Sequence, residues 1–172
     1  RKSYTVTYEY ENKPEGASAL PKQGSYKYGE SVSVAESATA PGYIFSGWTT
    51  NDASVGDGKF EMPAKNVVLK GKFTETNTTY KVEQYLENLA GTGYDLQSPV
   101  ETKTAKTGTV VYDKDNIKSY PGFEYKAGAV DKKEEETVLG NGTTVLKLYY
   151  VRKSYTVTYE YENKPEGASE LP

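Results

Sequence analysis

Residues 1–21 and 152–172 carry the same text, RKSYTVTYEYENKPEGAS followed by Ala or Glu and then Leu-Pro, at an offset of 151 residues. The single difference is Ala19 against Glu170. Chance does not give such a match, so the chain reads as one period of a tandem array plus the opening of the next copy. Near-identical units of this kind fold as small modules, each touching its neighbours. Reach and repetition then matter more than one catalytic pocket.

The period divides again. Tyr4-Thr5-Val6 precedes Glu11-Asn12 at the spacing by which Tyr80-Lys81-Val82 precedes Glu87-Asn88. Pro41-Gly42-Tyr43 is answered by Pro121-Gly122-Phe123, and Val67–Phe73 by Thr144–Tyr150. We therefore expect module A over 1–75, a diverged module B over 76–151, and a truncated start of the next A over 152–172.

Modules of this length bury a modest core and must rely on packing alone. The chain has no cysteine, so disulfides and thiolate metal sites are excluded. It has no histidine, the commonest general base and zinc ligand. A net charge of −3 with both signs mixed does not suggest a nucleic-acid surface. No apolar run approaches the length that spans a bilayer. Seventeen tyrosines among many threonines and valines favour strands.

Tyr4, Val6, Tyr8 and Tyr10 alternate with polar residues, the period of a half-buried strand. Asn12–Gly16 has turn chemistry. Further strands are expected at Ser25–Tyr28, Tyr43–Thr49 and Val67–Phe73. Ser31–Thr39 fits a short helix or an irregular crossing, and Asn51–Lys59 reads as loop. In the second module, Val82, Tyr85, Leu86 and Leu89 fit helical spacing, but the parallel with Tyr4–Tyr10 makes Tyr80–Leu86 a strand. Tyr112–Lys118 is expected to open a short helix capped by Asp113 or Asp115. Phe123–Ala127 and Thr143–Tyr150 are strands, and Asp131–Thr137 is a charged surface segment. The A-to-B connection, Thr74–Thr79, is polar and reads as the looser joint; Val151–Ser154 reads as the stiffer one.

The run Tyr-x-Val-x-Tyr, Tyr28-Gly29-Glu30, Pro41-Gly42-Tyr43-x-Phe45-x-Gly47-Trp48 and Val67–Phe73 resembles the internalin-type B-repeat, or Listeria–Bacteroides repeat. Module B is similar to its companion repeat, through Tyr80–Thr92, Pro121-Gly122-Phe123 and Val145–Arg152. It also resembles mucin-binding-protein-like and high-identity tandem repeats of bacterial adhesins. The resemblance implies a mostly β (α+β) chain with little helix. Its small ubiquitin-like, β-grasp modules would be arranged end to end as a rod. It implies a non-catalytic stalk or adhesive unit on the surface of a Gram-positive cell, extracellular and cell-wall anchored, with no cofactor. Neighbouring repeats are the expected partners, with a host glycan or matrix protein as the alternative. Module B lacks the Gly-Trp pair; Phe123-Glu124-Tyr125 stands in its place.

Candidate sites have plainer alternatives. Trp48 and the tyrosines could stack a sugar, but large aromatics in a small domain are expected in its core. Tyr26, Tyr28 and Tyr125 would favour binding if they formed one exposed patch. Asn51–Gly58 and Asp113–Asn116 offer oxygens without the spacing of a calcium loop. For a Lys–Asn crosslink, which the resemblance raises, Lys70 and Lys147 are the lysines and Asn12, Asn66 and Asn88 the acceptors. Strand alternation makes Lys70 a solvated residue instead. Asn77 and Asn141 begin glycosylation sequons that have no use in a bacterial chain. Glu134-Glu135-Glu136 reads as a solvated face.

Overall fold

The computed structural model describes residues 2–171; Arg1 and Pro172, the outermost residues of the two repeated segments, lie outside the described residues. The first half holds β1 (Ser3–Tyr10), β2 (Gly24–Lys27), β3 (Ser31–Ser33), β4 (Tyr43–Phe45), β5 (Lys59–Glu61), β6 (Val67–Gly71) and β7 (Phe73–Glu75). The second holds β8 (Asn77–Glu87), β9 (Tyr94–Leu96), β10 (Glu101–Lys106), β11 (Val110–Tyr112), β12 (Phe123–Tyr125), β13 (Glu135–Thr137) and β14 (Val145–Arg152). Helix among the described residues is confined to two three-residue 3-10 turns, Asp113–Asp115 and Ala129–Asp131. The chain is mostly β, as its tyrosine, threonine and valine content leads one to expect.

β1 is the central strand of a three-stranded sheet, antiparallel to β2 and parallel to β6. The second half repeats the plan: β8 is antiparallel to β10 and parallel to β14, with β12 beyond β14 and β9 added to β8. A parallel pair cannot be joined by a tight turn, so all of 11–66 serves as the crossover from β1 to β6.

Each sheet buries one face in its own apolar cluster. The first is built on Val6, Val32, Trp48, Phe60, Met62, Val67, Leu69 and Phe73. The second is built on Tyr80, Val82, Val138, Leu146, Leu148 and Tyr150. Register shows how the clusters diverge. Val6, Tyr8 and Tyr10 face Val67, Leu69 and Gly71. Val82, Gln84 and Leu86 face Leu146, Leu148 and Tyr150. Val67 thus corresponds to Leu146, two residues beyond the Thr144 that sequence comparison suggests. The large aromatic has also changed strands. In the first half it comes from Tyr8 and Tyr10, and a Cβ on Gly71 would fall on the Phe45 ring. In the second half Tyr150 fills that place, and Gln84 stands where Tyr8 was.

Several expected elements come out shorter or different. The strand from Tyr43 ends at Phe45, because Gly47 takes φ 83° and turns Trp48 inward. The closing strand breaks at Lys72, whose amide donates to Ser46 Oγ at 3.0 Å. Ser31–Thr39 forms β3 and then an irregular crossing, and the loop from Asn51 ends in the unexpected β5. Tyr112–Lys118 makes only the 3-10 turn at Asp113–Asp115. Tyr112 stands at its cap without a side-chain bond, so neither Asp113 nor Asp115 caps it. The charged segment Asp131–Thr137 is exposed from Lys133 onward, as expected, and within it Glu135–Thr137 pairs with β11 as β13.

The polar segment Thr74–Thr79 is not a loose linker. β7 and β8 are separated by Thr76 alone, and Asn77, Thr78 and Thr79 already pair with Lys106, Ala105 and Thr104. Beyond Arg152, residues 153–171 join no ladder, and Tyr155, Val157 and Tyr159 are exposed. A lone copy of β1 has no sheet on which to bury that face. Its turn still forms. Tyr161 Oη donates to the Ser169 carbonyl at 2.6 Å, as Tyr10 Oη does to Ser18 at 3.1 Å.

Candidate functional site

The Pro41-Gly42-Tyr43-x-Phe45-x-Gly47-Trp48 motif builds the first core. Trp48 is buried, and its indole N–H donates to the Glu36 carbonyl at 2.9 Å. Tyr10 stacks on it with ring centroids 5.4 Å apart, and Tyr8 and Phe45 meet it edge-on at 5.0 Å and 4.8 Å. Tyr43 packs on the same cluster. Burial with a satisfied N–H is the environment of a core anchor. Tyr26 packs on the first cluster and Tyr125 on the second, while Tyr28 is exposed, so the three do not make one patch.

The outer face of the central ladder differs between the halves. Glu9 and Lys70 are register partners in the first, 3.6 Å apart as an ion pair in solvent. Their counterparts in the second are Tyr85 and Tyr149, stacked at 5.1 Å, with Tyr94 edge-on to Tyr149 at 4.9 Å. Tyr85 Oη donates to Glu83 at 2.7 Å; that bond, with burial behind it, pushes its pKa up to about 12. Spacing within the chain did not flag this cluster, because Tyr85, Tyr94 and Tyr149 converge only through strand register.

Among the described residues Asp113 is the most deeply buried charge, 2% exposed, and carries an ion pair sequence reasoning missed. Lys132 Nζ lies 3.0 Å and 3.1 Å from its two oxygens, and Tyr125 Oη donates to it at 2.9 Å. Burial, then the Asp113 bond, raises the pKa of Tyr125. The other candidates are spent on structure. Asp52 accepts from Lys65 at 2.8 Å and from the Val68 amide at 3.1 Å, which lowers its pKa, the Lys65 bond being the main cause. Asn12 clamps the backbone of Phe73 with two 2.8 Å bonds, Asn66 accepts from Thr5, and Asn88 accepts from Thr92. Lys147 lies over the Tyr85 ring and Lys70 pairs with Glu9. Neither is bonded to Asn12, Asn66 or Asn88. Glu134, Glu135 and Glu136 are exposed. Among the described residues, no group of three or more acidic side chains is placed to hold a metal.

Where the halves meet, the Pro41-Gly42 turn lies against Thr107 and Gly140. An open groove of about 360 Å³ beside it is lined by Glu15, Tyr43, Val138 and Leu139 among others. The Gly42 carbonyl accepts from Thr76 N at 2.9 Å. Thr76 in turn accepts from Thr107 N at 3.0 Å and Oγ1 at 3.1 Å. Pro121-Gly122-Phe123 repeats the arrangement at the far end, where Lys153 N donates to the Gly122 carbonyl at 2.9 Å.

Residues 4–74 match the family model of the Listeria-Bacteroides repeat domain, so the resemblance read from the Pro-Gly-Tyr and Gly-Trp motifs stands for that stretch. Among solved structures, the chain is similar to streptococcal high identity repeats in tandem (SHIRT) domains 3-4 from a cell surface protein. That likeness has 15% identity and a TM-score of 0.28, and covers 87% of this chain and 98% of the other. It is also similar to Mub-RV, with 12% identity and a TM-score of 0.27, over 90% of this chain and 100% of that one. At such scores the arrangement of the halves rests on the geometry of this chain alone. No curated protein matches the chain.

Proposed function

We propose that the chain is a non-catalytic repeat unit of a bacterial cell-surface protein, serving as a stalk that projects a distal region. The observation that carries this reading is the parallel pairing of the opening strand with a late strand in each half, β1 with β6, which β7 follows across Lys72 alone, and β8 with β14. Parallel strands start at the same end of a sheet. A module that opens and closes on such a pair takes the chain in at one end and releases it at the other. Antiparallel terminal strands would return it to its starting side. With β7 running into β8 through Thr76 alone, successive modules add length along the strands. An eight-residue strand such as β14 spans roughly 26 Å at about 3.3 Å per residue.

On this reading the modules are 1–75 and 76–151, with 152–172 opening a further copy, each a β-grasp-like unit reduced to its sheet. The protein is extracellular and held to the cell wall of a Gram-positive organism, with its neighbouring repeats as constant partners. The Listeria-Bacteroides match supports a repeat, and the SHIRT neighbour is described as coming from a cell surface protein. The test is solution scattering on chains of one and two periods. Each added period increases the maximum dimension by a constant step. A dimension that grows as that of a single compact particle would remove the stalk.

A second reading rests on the Tyr85–Tyr149–Tyr94 cluster, which replaces an ion pair on the outer sheet face of the second half. There the unit binds a host glycan or matrix protein, and repetition adds avidity. Screening the chain on glycan and matrix arrays beside Tyr149→Ser separates the two. Binding lost in Tyr149→Ser supports a ligand site, and silence of the wild type leaves the stalk.

A further inference from the structure

We infer that the two halves are locked into one rigid body by a glycine-keyed joint, Gly42 against Gly140, which the junction after residue 152 cannot reproduce. The inference concerns the joint alone and stands whether or not the stalk reading does.

The joint begins with backbone. Gly42 O accepts from Thr76 N, and Thr76 O accepts twice from Thr107. This chain of bonds fixes the Pro41-Gly42 turn of the first half over two loops of the second. The approach is so close that neither glycine has room for a side chain. A Cβ on Gly42 would fall on the Gly140 Cα and the Thr107 hydroxyl. A Cβ on Gly140 would fall on the Pro41 carbonyl oxygen, and would also lie 2.8 Å from the Pro41 carbonyl carbon. Gly42 needs glycine for a second reason, its φ of 75°. Gly140 does not have a positive φ, so only the neighbouring half accounts for its missing side chain.

The same parts recur at the next junction with different residues. Lys153 N donates to the Gly122 carbonyl, as Thr76 N does to Gly42. Lys153 repeats Lys2, whose carbonyl accepts from Tyr28 N as Thr76 accepts from Thr107 N. Tyr28-Gly29 therefore corresponds to Thr107-Gly108. Gly29 N donates to Met62 O at 2.9 Å, and Gly108 N to Val138 O at 2.8 Å. Two residues past Met62 is Ala64; two past Val138 is Gly140. A following copy would meet the Pro121-Gly122 turn with an alanine Cβ where the first joint has none, and with tyrosine in place of threonine. The clash excluded at Gly140 is built in at Ala64, so that joint must sit more open.

The test is nitrogen-15 relaxation on the full chain. In the wild type, amides around Val6–Leu69 and around Val82–Leu148 share one correlation time. Gly140→Ala gives two shorter and unequal times, with the chemical shifts of Val82 and Leu146 unchanged to show that the second half remains folded. Separate times in the wild type, or one shared time in folded Gly140→Ala, would overturn the inference. If Gly140→Ala unfolds its half, the pair Gly42→Ala and Gly122→Ala decides. Both carry the strain of a positive φ, but a Cβ on Gly122 meets nothing within 4 Å. Uncoupling by Gly42→Ala alone supports the joint, and equal behaviour of the two contradicts it.

Discussion

The Tyr150 hydroxyl donates to Gln84 Oε1 at 2.8 Å, and both side chains are buried. The same hydroxyl accepts from Lys118 N at 2.8 Å, while Gln84 Nε2 donates to the Asn116 carbonyl at 3.1 Å. A buried polar group is tolerated only with partners of this kind. Tyr150→Phe leaves two of them unsatisfied, so the second half should lose about 1–3 kcal/mol. Urea titration followed by resolved NMR signals checks this: the Val82 and Leu146 midpoints fall while those of Val6 and Leu69 stay.

Asp113, Lys132 and Tyr125 tie the 3-10 turn to β12 and the segment before β13. Removing one member of a buried ion pair strands the other. Asp113→Ala should therefore cost the second half about 3–5 kcal/mol. Asp113→Asn, which keeps shape and part of the bonding, should cost less. Equal stability of wild type and Asp113→Ala by chemical denaturation would show that the pair is not formed.

Trp48 is the single tryptophan, so its fluorescence reports the first half alone. Trp48→Ala removes the rings' common partner and the bond to Glu36, and should destabilise that half by about 3–5 kcal/mol. NMR signals of Val82 and Leu146 should keep their urea midpoints.

Several tyrosines of the second half ionise late. Tyr85 is raised to about 12 by its bond to Glu83 and then by burial; burial is the first cause for Tyr80, Tyr125, Tyr149 and Tyr150. A pKa raised by folding means stability that is complete below the unfolded value of about 10 and lost as pH climbs through the folded value. The second half should therefore lose stability as pH rises above about 10, its urea midpoint falling while tyrosinate absorbance appears only as the structure is lost. Tyrosinate absorbance that rises well before structure is lost would contradict this.

The β character and several of the strands were legible in the chain because they lie in local signals: alternation at Tyr4–Tyr10, the Pro-Gly turns, and the internal correspondence that kept Tyr80–Leu86 a strand. What was not legible depends on contacts distant in sequence. β13, Glu135-Glu136-Thr137, has no apolar alternation to announce a strand and is one only through its pairing with β11. The linker reading at Thr74–Thr79 failed because polar composition outweighed the β-branched threonines. The motif residues Pro41, Gly42, Tyr43, Phe45, Gly47 and Trp48 divide between core and joint. The joint's share depends on partners far along the chain, Thr107 and Gly140, as well as on the φ of 75° at Gly42.

The parallel pairs β1–β6 and β8–β14 carry the chain from one end of each sheet to the other. Small-angle scattering of the 172-residue chain tests this most directly. A single compact particle of this length would have a radius of gyration of about 16 Å. Halves set end to end give a clearly larger value and an elongated distance distribution; a value at the compact limit would contradict the stalk.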